Sequence, residues 1–537
     1  MRYASLFAKK LEHLCRGFIP PKWAFSTCYF KPFWVQFSYL LIVSLEGYFV
    51  LKLLKPRTVS EPNDLDLLFT SVSAATASSM STVEMEVFSN AQLIIITFIM
   101  FLGGEIYMSF LGLLIQRFKL LSAQDGSQKN LPEIDSMHRV SQTWPVISSQ
   151  EQMIELDTIS VQPHPLDIDK PLTTKPFSGG HEMELPYNSI KTLGYVVLGY
   201  FLIIHVVGSG LISAYIGLTP SVNNVLKSKG LGLHTFSIFT TVSTFANCGF
   251  LPTNENMMVF RKNSGLLLIL IPQTLLGNTL YAPCLRLIIQ VLCRLTRKKE
   301  YKYILSNYQE LGYGHLMSKE KSWYLSGTVL VFLMSQFVVF AAMEWNSGVM
   351  DGMNPLEKLV GSLFQCVNSR HTGESIVDFS SVSSAILVLF VVMMYLPSYA
   401  SFLPIGDQQE EASENREGSK KEKKNMILEN IILSPLAYLA IFVFVICITE
   451  RKSLREDPLN FNLVNIVVEV ISAYANVGFS MGYSCKRRLK LDGTCDDKWF
   501  GFAGQWSKSG KLVLILVMIF GRLKKFTIHG GKVWILT

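Results

Sequence analysis

Four short stretches of small and hydroxyl-bearing residues recur along the 537-residue chain, and their residue types suit the binding of a cation. Their sequences are SAATASSMS (73–81), STFANCGF (243–250), VNSRHTGE (367–374) and SAYANVGF (472–479). Counted from the first residue of each stretch, the sixth following residue is Ser79, Gly249, Gly373 or Gly478. Backbone carbonyl oxygens can replace the water around a cation, and glycine readily adopts the conformations that aim successive carbonyls at one axis. The shared register therefore predicts a cation site built from four turns.

The carbonyl groups expected to line this site belong to the four positions and to the residues immediately before them, Ser78, Cys248, Thr372 and Val477. An alternative is that the glycines serve only close helix packing, as Gly103 in a neighbouring apolar run would. Packing alone does not account for one register repeated after four short apolar segments. The sequence therefore favours a pore.

The elements that position these turns are predicted from hydropathy. The chain is 49% hydrophobic and only 17% charged, and its mean hydropathy is +0.30, which is typical of a polytopic membrane protein. Apolar runs long enough to cross the roughly 30 Å hydrocarbon core are found at 34–55, 91–116, 191–216, 264–292, 323–343, 382–404, 431–449 and 510–526. Eight transmembrane helices are predicted.

Each turn lies between the first and second helix of a pair. Irregular backbone at membrane depth is tolerated only where protein buries it or where it lines water. The predicted fold is therefore an all-α polytopic membrane protein whose eight transmembrane helices form four membrane–pore–membrane repeats around a pseudo-fourfold central pore. The repeats are placed at 34–118, 189–293, 322–404 and 426–537, separated by the cytoplasmic segments 1–33, 119–188, 294–321 and 405–425.

Charge indicates the orientation. Basic clusters in 1–33, 294–302, 420–424 and 522–525 fall on one side of an eight-helix arrangement, and that side is expected to be cytoplasmic with both termini. The net charge of +8 is explained mainly by this asymmetry and gives no case for nucleic-acid binding.

The four motifs also carry a family resemblance. The sequences SSMSTVEMEVFSN, TTVSTFANCGFLPTNENM, NSRHTGE and ISAYANVGFSMGYSC, in this order, resemble the four pore loops of plant high-affinity potassium transporters, the HKT branch of the Trk/Ktr/HKT superfamily. The resemblance runs from about residue 34 to the C-terminus, apart from the hydrophilic linkers 119–188 and 405–425. It implies passive Na+ movement, with K+ in some members, a plasma-membrane location in plants, a homodimer and no cofactor.

The resemblance places the selectivity filter at Ser79, Gly249, Gly373 and Gly478. Ser–Gly–Gly–Gly is the pattern of the sodium-selective subfamily I, whereas four glycines usually accompany K+ permeation, and a few subfamily II members also carry the serine. The first motif is more similar to subfamily I. The expected function is channel-like Na+ uniport in plant Na+ homeostasis and salt tolerance. The alternative is a K+ transporter or Na+/K+ symporter of the same fold.

Three ionisable residues inside predicted helices have two interpretations each. Arg522 either extends to the inner membrane surface or, as the resemblance implies, lies beside the permeation path as an inner barrier to cations. Glu105 either packs against a neighbouring helix or contacts ions. His205 is either a proton relay or a hydrogen-bonded packing residue, and the second is expected. A membrane enzyme using Glu105 and His205 is the alternative from another class, but no catalytic motif supports it.

Outer residues are predicted around the turns. Glu84 and Glu86 after the first turn, and Arg370 and His371 before the third glycine, are expected to flank the outer mouth as solvated charges.

Two cysteines share a predicted outer loop. Cys485 and Cys495 are either free thiols or a local disulfide, because the outer compartment is oxidising.

Overall fold

The computed structural model describes residues 32–58, 61–129, 184–397, 399, 435–488 and 501–528, and within these ranges the regular structure is helical. Numbered in chain order, the α-helices are α1 Pro32–Leu53, α2 Asp64–Ala75, α3 Asn90–Gly103, α4 Glu105–Lys129, α5 Glu184–Leu218, α6 Pro220–Ser228, α7 Leu233–Phe245, α8 Ser264–Leu276, α9 Tyr281–Thr296, α10 Lys299–Ser306, α11 Lys319–Glu344, α12 Pro355–Asn368, α13 Ser384–Tyr395, α14 Pro435–Thr449, α15 Arg451–Glu456, α16 Leu463–Ala475 and α17 Lys508–Ile528. Short 3₁₀ helices are Met85–Val87, Asn256–Phe260, Gly348–Met350, Phe379–Ser381, Cys485–Arg487 and Phe502–Gln505.

The helices repeat one plan four times. A first helix (α1, α5, α11 or α14) is followed by a short helix (α2, α7, α12 or α16), a turn, and a second apolar helix that begins at α3, α8, α13 or α17. The short helices have 12 to 14 residues, too few to cross the hydrocarbon core, which needs about 20. This is the arrangement predicted for membrane–pore–membrane repeats.

Length and composition identify the clearest membrane spans. Among the described residues, three helices, within α1, α5 and α11, are long and apolar enough to cross a membrane, and the bent pairs α3–α4 and α8–α9 would bring the number to five. The helices α13, α14 and α16 are shorter apolar helices. The predicted spans at 382–404 and 431–449 lie partly outside the described residues.

Two of the second helices are sharply broken. The axes of α3 and α4 differ by 55°, and those of α8 and α9 by 82°. A side chain at Gly103, the last residue of α3, would collide with the carbonyl oxygen of Ala75 at the end of α2. Gly103 therefore allows the second helix to pack directly on the end of its own short helix.

The same contact recurs in two other repeats at an equivalent register. A side chain at Gly277 would collide with the Phe245 carbonyl, and one at Gly521 with the Tyr474 carbonyl. Together with Ala75, these carbonyls belong to the second residue after the start of each small-residue stretch. In these three repeats, the second helix therefore packs on the end of the short helix in the same way.

The last repeat is joined to the first by a buried ion pair. Nζ of Lys511 at the start of α17 lies 2.8 Å from a carboxylate oxygen of Asp66 in α2, and both residues are at most 9% exposed. This contact closes the circle of repeats.

The predicted linkers differ from the structure in extent. The linker predicted at 119–188 is helical at both ends, because α4 continues to Lys129 and α5 begins at Glu184, and a helix, once nucleated, gains one hydrogen bond for each added residue. The predicted segment 294–321 contains α10 and then a stretch in which Leu311, Tyr313 and His315 are buried. All of 405–425 lies outside the described residues. The domain boundaries themselves stay predictions.

Candidate functional site

The four predicted positions lie just after the ends of the four short helices. Each is in a turn closed by a similar backbone hydrogen bond. The amide of Ser78 donates to the Ser73 carbonyl at 2.8 Å, and the amide of Cys248 donates to the Ser243 carbonyl at 2.9 Å. In the fourth repeat the amide of Val477 lies 3.0 Å from the carbonyl oxygen it bonds, five residues back. The third turn is closed by a neighbouring bond from the Gly373 amide at 3.1 Å. The backbone therefore repeats as the sequence register predicts.

All four positions have left-handed backbone. The φ angles are +53° at Ser79, +85° at Gly249, +68° at Gly373 and +103° at Gly478. A positive φ is easy for glycine and unfavourable for other residues. Ser79 therefore adopts the glycine-like conformation at an energetic cost, and the surrounding turn must hold it there.

The four turns touch in a closed order, and we call Ser79, Gly249, Gly373 and Gly478 the ring. A side chain at Gly249 would collide with the carbonyl of the third turn, one at Gly373 would lie 2.5 Å from the carbonyl oxygen of the fourth turn, and one at Gly478 would collide with the Ser79 side chain. The Cys248 thiol lies beside the Ser79 backbone, which completes the circuit. The structure therefore brings together four positions that are far apart in sequence.

The ring is buried but borders a cavity. Ser79 is 8% exposed, and the preceding residues of the four turns are 0 to 2% exposed. Three of the four ring residues, Ser79, Gly249 and Gly478, line a cavity together with segments that follow the first and second turns. Carbonyl and hydroxyl oxygens at this cavity are hard ligands of the kind that alkali cations accept.

The outer segments are held by an ion-pair cluster. Nζ of Lys229 lies 2.5 Å from a carboxylate oxygen of Glu86 and 2.6 Å from one of Glu255. Glu86 also accepts a hydrogen bond from the Asn254 amide at 3.0 Å. The expectation that Glu86 is a solvated rim charge is therefore wrong, because its carboxylate ties the first repeat to the second. Glu84 lines the cavity, in agreement with a place at the outer mouth.

The expectation that Arg370 and His371 flank the outer mouth as solvated charges is also wrong. Arg370 is 7% and His371 2% exposed, because the turn inserts both side chains between helices. Arg370 donates to the Pro397 carbonyl, and His371 Nε2 lies 3.0 Å from Thr279 Oγ1. Both residues brace the third turn from behind.

Arg522 lies inside the protein. Its guanidinium donates to the Gly103 carbonyl at 2.5 Å, its side chain is 2% exposed, and it interacts electrostatically with Glu105 and Cys248. The side chain does not extend to the membrane surface, in contrast to the first of its two interpretations. Cys248 precedes a ring residue, so the positive charge is near the ring.

Glu105 and His205 lie near the first helix break. Glu105 begins α4 directly after the bend and shares the electrostatic environment of Arg522. His205 Nδ1 lies 2.8 Å from the Phe201 carbonyl oxygen, and its ring contacts the Phe245 ring at a centroid distance of 4.8 Å. These contacts are those of a packing residue.

A buried polar network below the ring was not predicted. The Tyr313 hydroxyl lies 2.6 Å from the Tyr281 hydroxyl and 3.1 Å from Ser109 Oγ, and His315 Nδ1 lies 2.8 Å from the Tyr399 hydroxyl. The segment between α10 and α11 thus contacts the second helices of three repeats. The sequence LGYGHL, in which a tyrosine and a histidine lie between two leucines, was the one feature that could have indicated a buried polar segment.

Two buried carboxylates next to the turns were also missed. Glu374 follows the third ring glycine and is 0% exposed, and Glu469 in α16 is 1% exposed. Glu469 accepts a hydrogen bond from Ser480 Oγ at 3.0 Å. An acidic residue next to a pore motif suggests a surface charge, so the sequence alone gave no sign that these two point into the protein.

Comparisons with known proteins bear on this arrangement. A family model described as TrkH, cation transport protein, matches residues 170–529. The cation transporter HKT1;3 of Oryza sativa subsp. japonica is 47% identical over 515 residues, covering 96% of this chain and 93% of that protein. The sodium transporter HKT1 of Arabidopsis thaliana is 49% identical over 491 residues, covering 90% and 91%. Among solved structures, the potassium transporter TrkH from Vibrio parahaemolyticus aligns with a TM-score of 0.48 and 13% identity, covering 92% of this chain and 83% of that one.

Proposed function

Because the chain belongs to the TrkH family of cation transport proteins and, within it, to the HKT transporters, we propose that it is a Na+-selective uniporter. The predicted resemblance and the predicted fold class are confirmed by this membership. The chain is a cation transporter and not an enzyme, which removes the alternative of an enzyme using Glu105 and His205.

One observation carries the proposed selectivity. Three positions of the ring are glycines, and the fourth is Ser79, whose side chain lies against Gly478 in the structure. A full ring of carbonyl oxygens suits a large cation such as K+, and a side chain on one of four sides narrows that ring. The smaller Na+ tolerates this change better. The similarity to the sodium transporter of Arabidopsis thaliana supports the same conclusion.

The proposed mechanism is passive. A cation enters the cavity beside Ser79 and exchanges its water for the carbonyls of the four ring residues and of the four residues directly before them. It then passes Arg522 on the inner side. Its direction is set by the electrochemical gradient, and no cofactor or covalent step takes part. We place the protein in the plasma membrane as a homodimer with both termini cytoplasmic, on the basic clusters and the family resemblance.

The alternative within transport is a K+ transporter or Na+/K+ symporter. The three ring glycines favour it, because they add no side chain that would narrow the ring for K+. The two functions differ in which ion sets the reversal potential.

The experiment is two-electrode voltage clamp of oocytes expressing the full chain, in Na+ and K+ baths. A Na+ uniporter shifts its reversal potential by about 59 mV for a tenfold change of external Na+, with little response to K+. A comparable shift with K+ would support the alternative, and no current at verified surface expression would contradict both.

A further inference from the structure

Glu374 occupies an unusual place directly behind the ring. It follows Gly373 in the chain, and its side chain is 0% exposed. Its Oε1 accepts a hydrogen bond from Thr244 Oγ1 at 2.6 Å, across 130 residues of sequence. Thr244 lies in α7, the short helix of the second repeat. The carboxylate is therefore located between the third turn and the second short helix.

The second carboxylate oxygen of Glu374 is buried and has no hydrogen-bond partner among the described residues. None of the ion pairs between described side chains includes Glu374. Glu450, another buried acid, is better satisfied, because it accepts hydrogen bonds from the amide and the hydroxyl of Ser507 at 3.1 and 2.6 Å. A buried carboxylate without a cation is strongly unfavourable when ionised.

The ring offers the missing positive charge. The turn that carries Gly249 touches the third turn at the Thr372 carbonyl, two residues before Glu374. Cys248, directly before Gly249, interacts electrostatically with Glu374. A cation held by the carbonyls of the second and third turns would thus be separated from the carboxylate by little more than one layer of backbone. Charges so close interact strongly in a medium of low dielectric constant.

We propose that Glu374 is an affinity-determining residue: its ionised carboxylate, held by Thr244 behind the second and third turns, is the fixed counter-charge of the dehydrated cation in the ring. This inference rests on the proposed function as a cation uniporter. The carboxylate does not touch the ion. It acts through the electric field across the turn, so it raises the affinity for Na+ and K+ alike and leaves the choice between them to the ring.

A purely structural role makes a different prediction. A protonated Glu374 would only link α7 to the third turn by its hydrogen bond. Glutamine has nearly the same shape and accepts the same bond from Thr244, so Glu374→Gln would then behave as wild type. An ionised carboxylate cannot be replaced in this way, because glutamine carries no charge.

The experiment measures the Na+ concentration for half-maximal current in oocytes expressing wild type, Glu374→Gln and Thr244→Val. Valine matches threonine in shape and removes the same hydrogen bond while leaving the charge. We expect Glu374→Gln to raise the half-saturating concentration at least tenfold with an unchanged ratio of Na+ to K+ permeability. We expect Thr244→Val to raise it at most threefold.

A half-saturating concentration for Glu374→Gln within threefold of wild type would overturn the proposal. Equal increases in both variants would also overturn it, because the hydrogen bond and not the charge would then be responsible. If Glu374→Gln does not reach the surface, Glu374→Asp, which keeps the charge but withdraws it by one methylene, is expected to raise the value about two- to fourfold, and an unchanged value would count against the charge. Wild-type current in the same oocytes tests the proposed function separately.

Discussion

The guanidinium of Arg522 donates a hydrogen bond to the carbonyl oxygen of Gly103 at 2.5 Å, across 419 residues of sequence. Gly103 is the last residue of the helix that packs on the first short helix. Arg522 directly follows Gly521, which packs on the fourth short helix. The buried guanidinium of Arg522 therefore joins the first and last repeats near the ring.

The position of Arg522 predicts a rise in current when its charge is removed. Arg522→Gln is expected to increase Na+ current about two- to tenfold, because a fixed positive charge near the path raises the barrier for a cation. Na+ preference should remain, since the ring is untouched. Voltage clamp at matched surface expression measures this, with Lys524→Gln on the same helix as control. Unchanged or lower current would show that Arg522 has only a structural role.

Ser79→Gly is expected to increase K+ permeability. The substitution removes the side chain that lies against Gly478 and also relieves the left-handed strain at a φ of +53°. A tenfold change in the permeability ratio requires only about 1.4 kcal/mol of difference between the two ions. The measurement is the reversal potential in K+, with Ser81→Gly just beyond the ring as control. A variant that carries Na+ current with no shift in K+ would exclude Ser79 as the selectivity determinant.

Serine is expected to fail at the other three ring positions. Gly249→Ser, Gly373→Ser or Gly478→Ser should reduce transport of both ions, because the new side chain would collide with the neighbouring turn. It meets backbone at Gly249 and Gly373 and the Ser79 side chain at Gly478. The φ of Gly478, +103°, is also far from the left-handed minimum near +57°. Tracer uptake of Na+ and K+ measures the loss. Gly230→Ser is the control for strain alone, since its φ is +64° and the nearest atom is 3.8 Å away; equal losses there would contradict the steric explanation.

The outer loop after the fourth turn is expected to contain a disulfide between Cys485 and Cys495. Cys485 is disulfide-bonded in the structure, and Cys495 lies outside the described residues. Closing a loop of this length stabilises a protein by roughly 2–3 kcal/mol, so Cys495→Ser should lower thermal stability by about that amount. Mass spectrometry of non-reduced peptides identifies the partner. Alkylation of both thiols in the intact protein would refute the pairing.

Two adjacent glycines provide a matched test of helix packing. Gly103→Ala should destabilise the protein by about 1–3 kcal/mol, because the added methyl group would collide with the Ala75 carbonyl. Gly104→Ala should have little effect, since its nearest neighbours are 3.4 to 3.6 Å away and its φ of −61° suits alanine. Thermal unfolding of the purified variants measures both. Equal effects would show that chain flexibility, and not contact, explains Gly103.

The fold could be predicted because its signals are local. Hydropathy identifies a first helix, and the register of four turns identifies the repeat, so Ser79 and Gly478 were found without any knowledge of their neighbours. The contacts of Gly277 and Gly521 with short-helix carbonyls follow the same register. To predict them, one must know which helix each glycine faces. Sequence spacing does not give that direction.

The candidate site was predicted less completely, because burial of charge depends on partners from other repeats. In the sequence of the first repeat alone, Glu86 resembles a surface charge, yet Lys229 of the second repeat forms an ion pair with it. Glu374 directly follows the third ring glycine, yet it is held by Thr244 from the second repeat. In both cases the partner is more than 100 residues away, and no local pattern identifies it.

The ion pair between Lys511 and Asp66 has a consequence for biosynthesis. The two residues are 445 positions apart, so at about 5–20 residues per second a ribosome needs on the order of 20 to 90 seconds between them. During that interval the first short helix carries a carboxylate whose partner has not been made. The contact between the first and last repeats therefore cannot form repeat by repeat as the chain emerges, and the buried Asp66 waits for its partner until the last helix has been made.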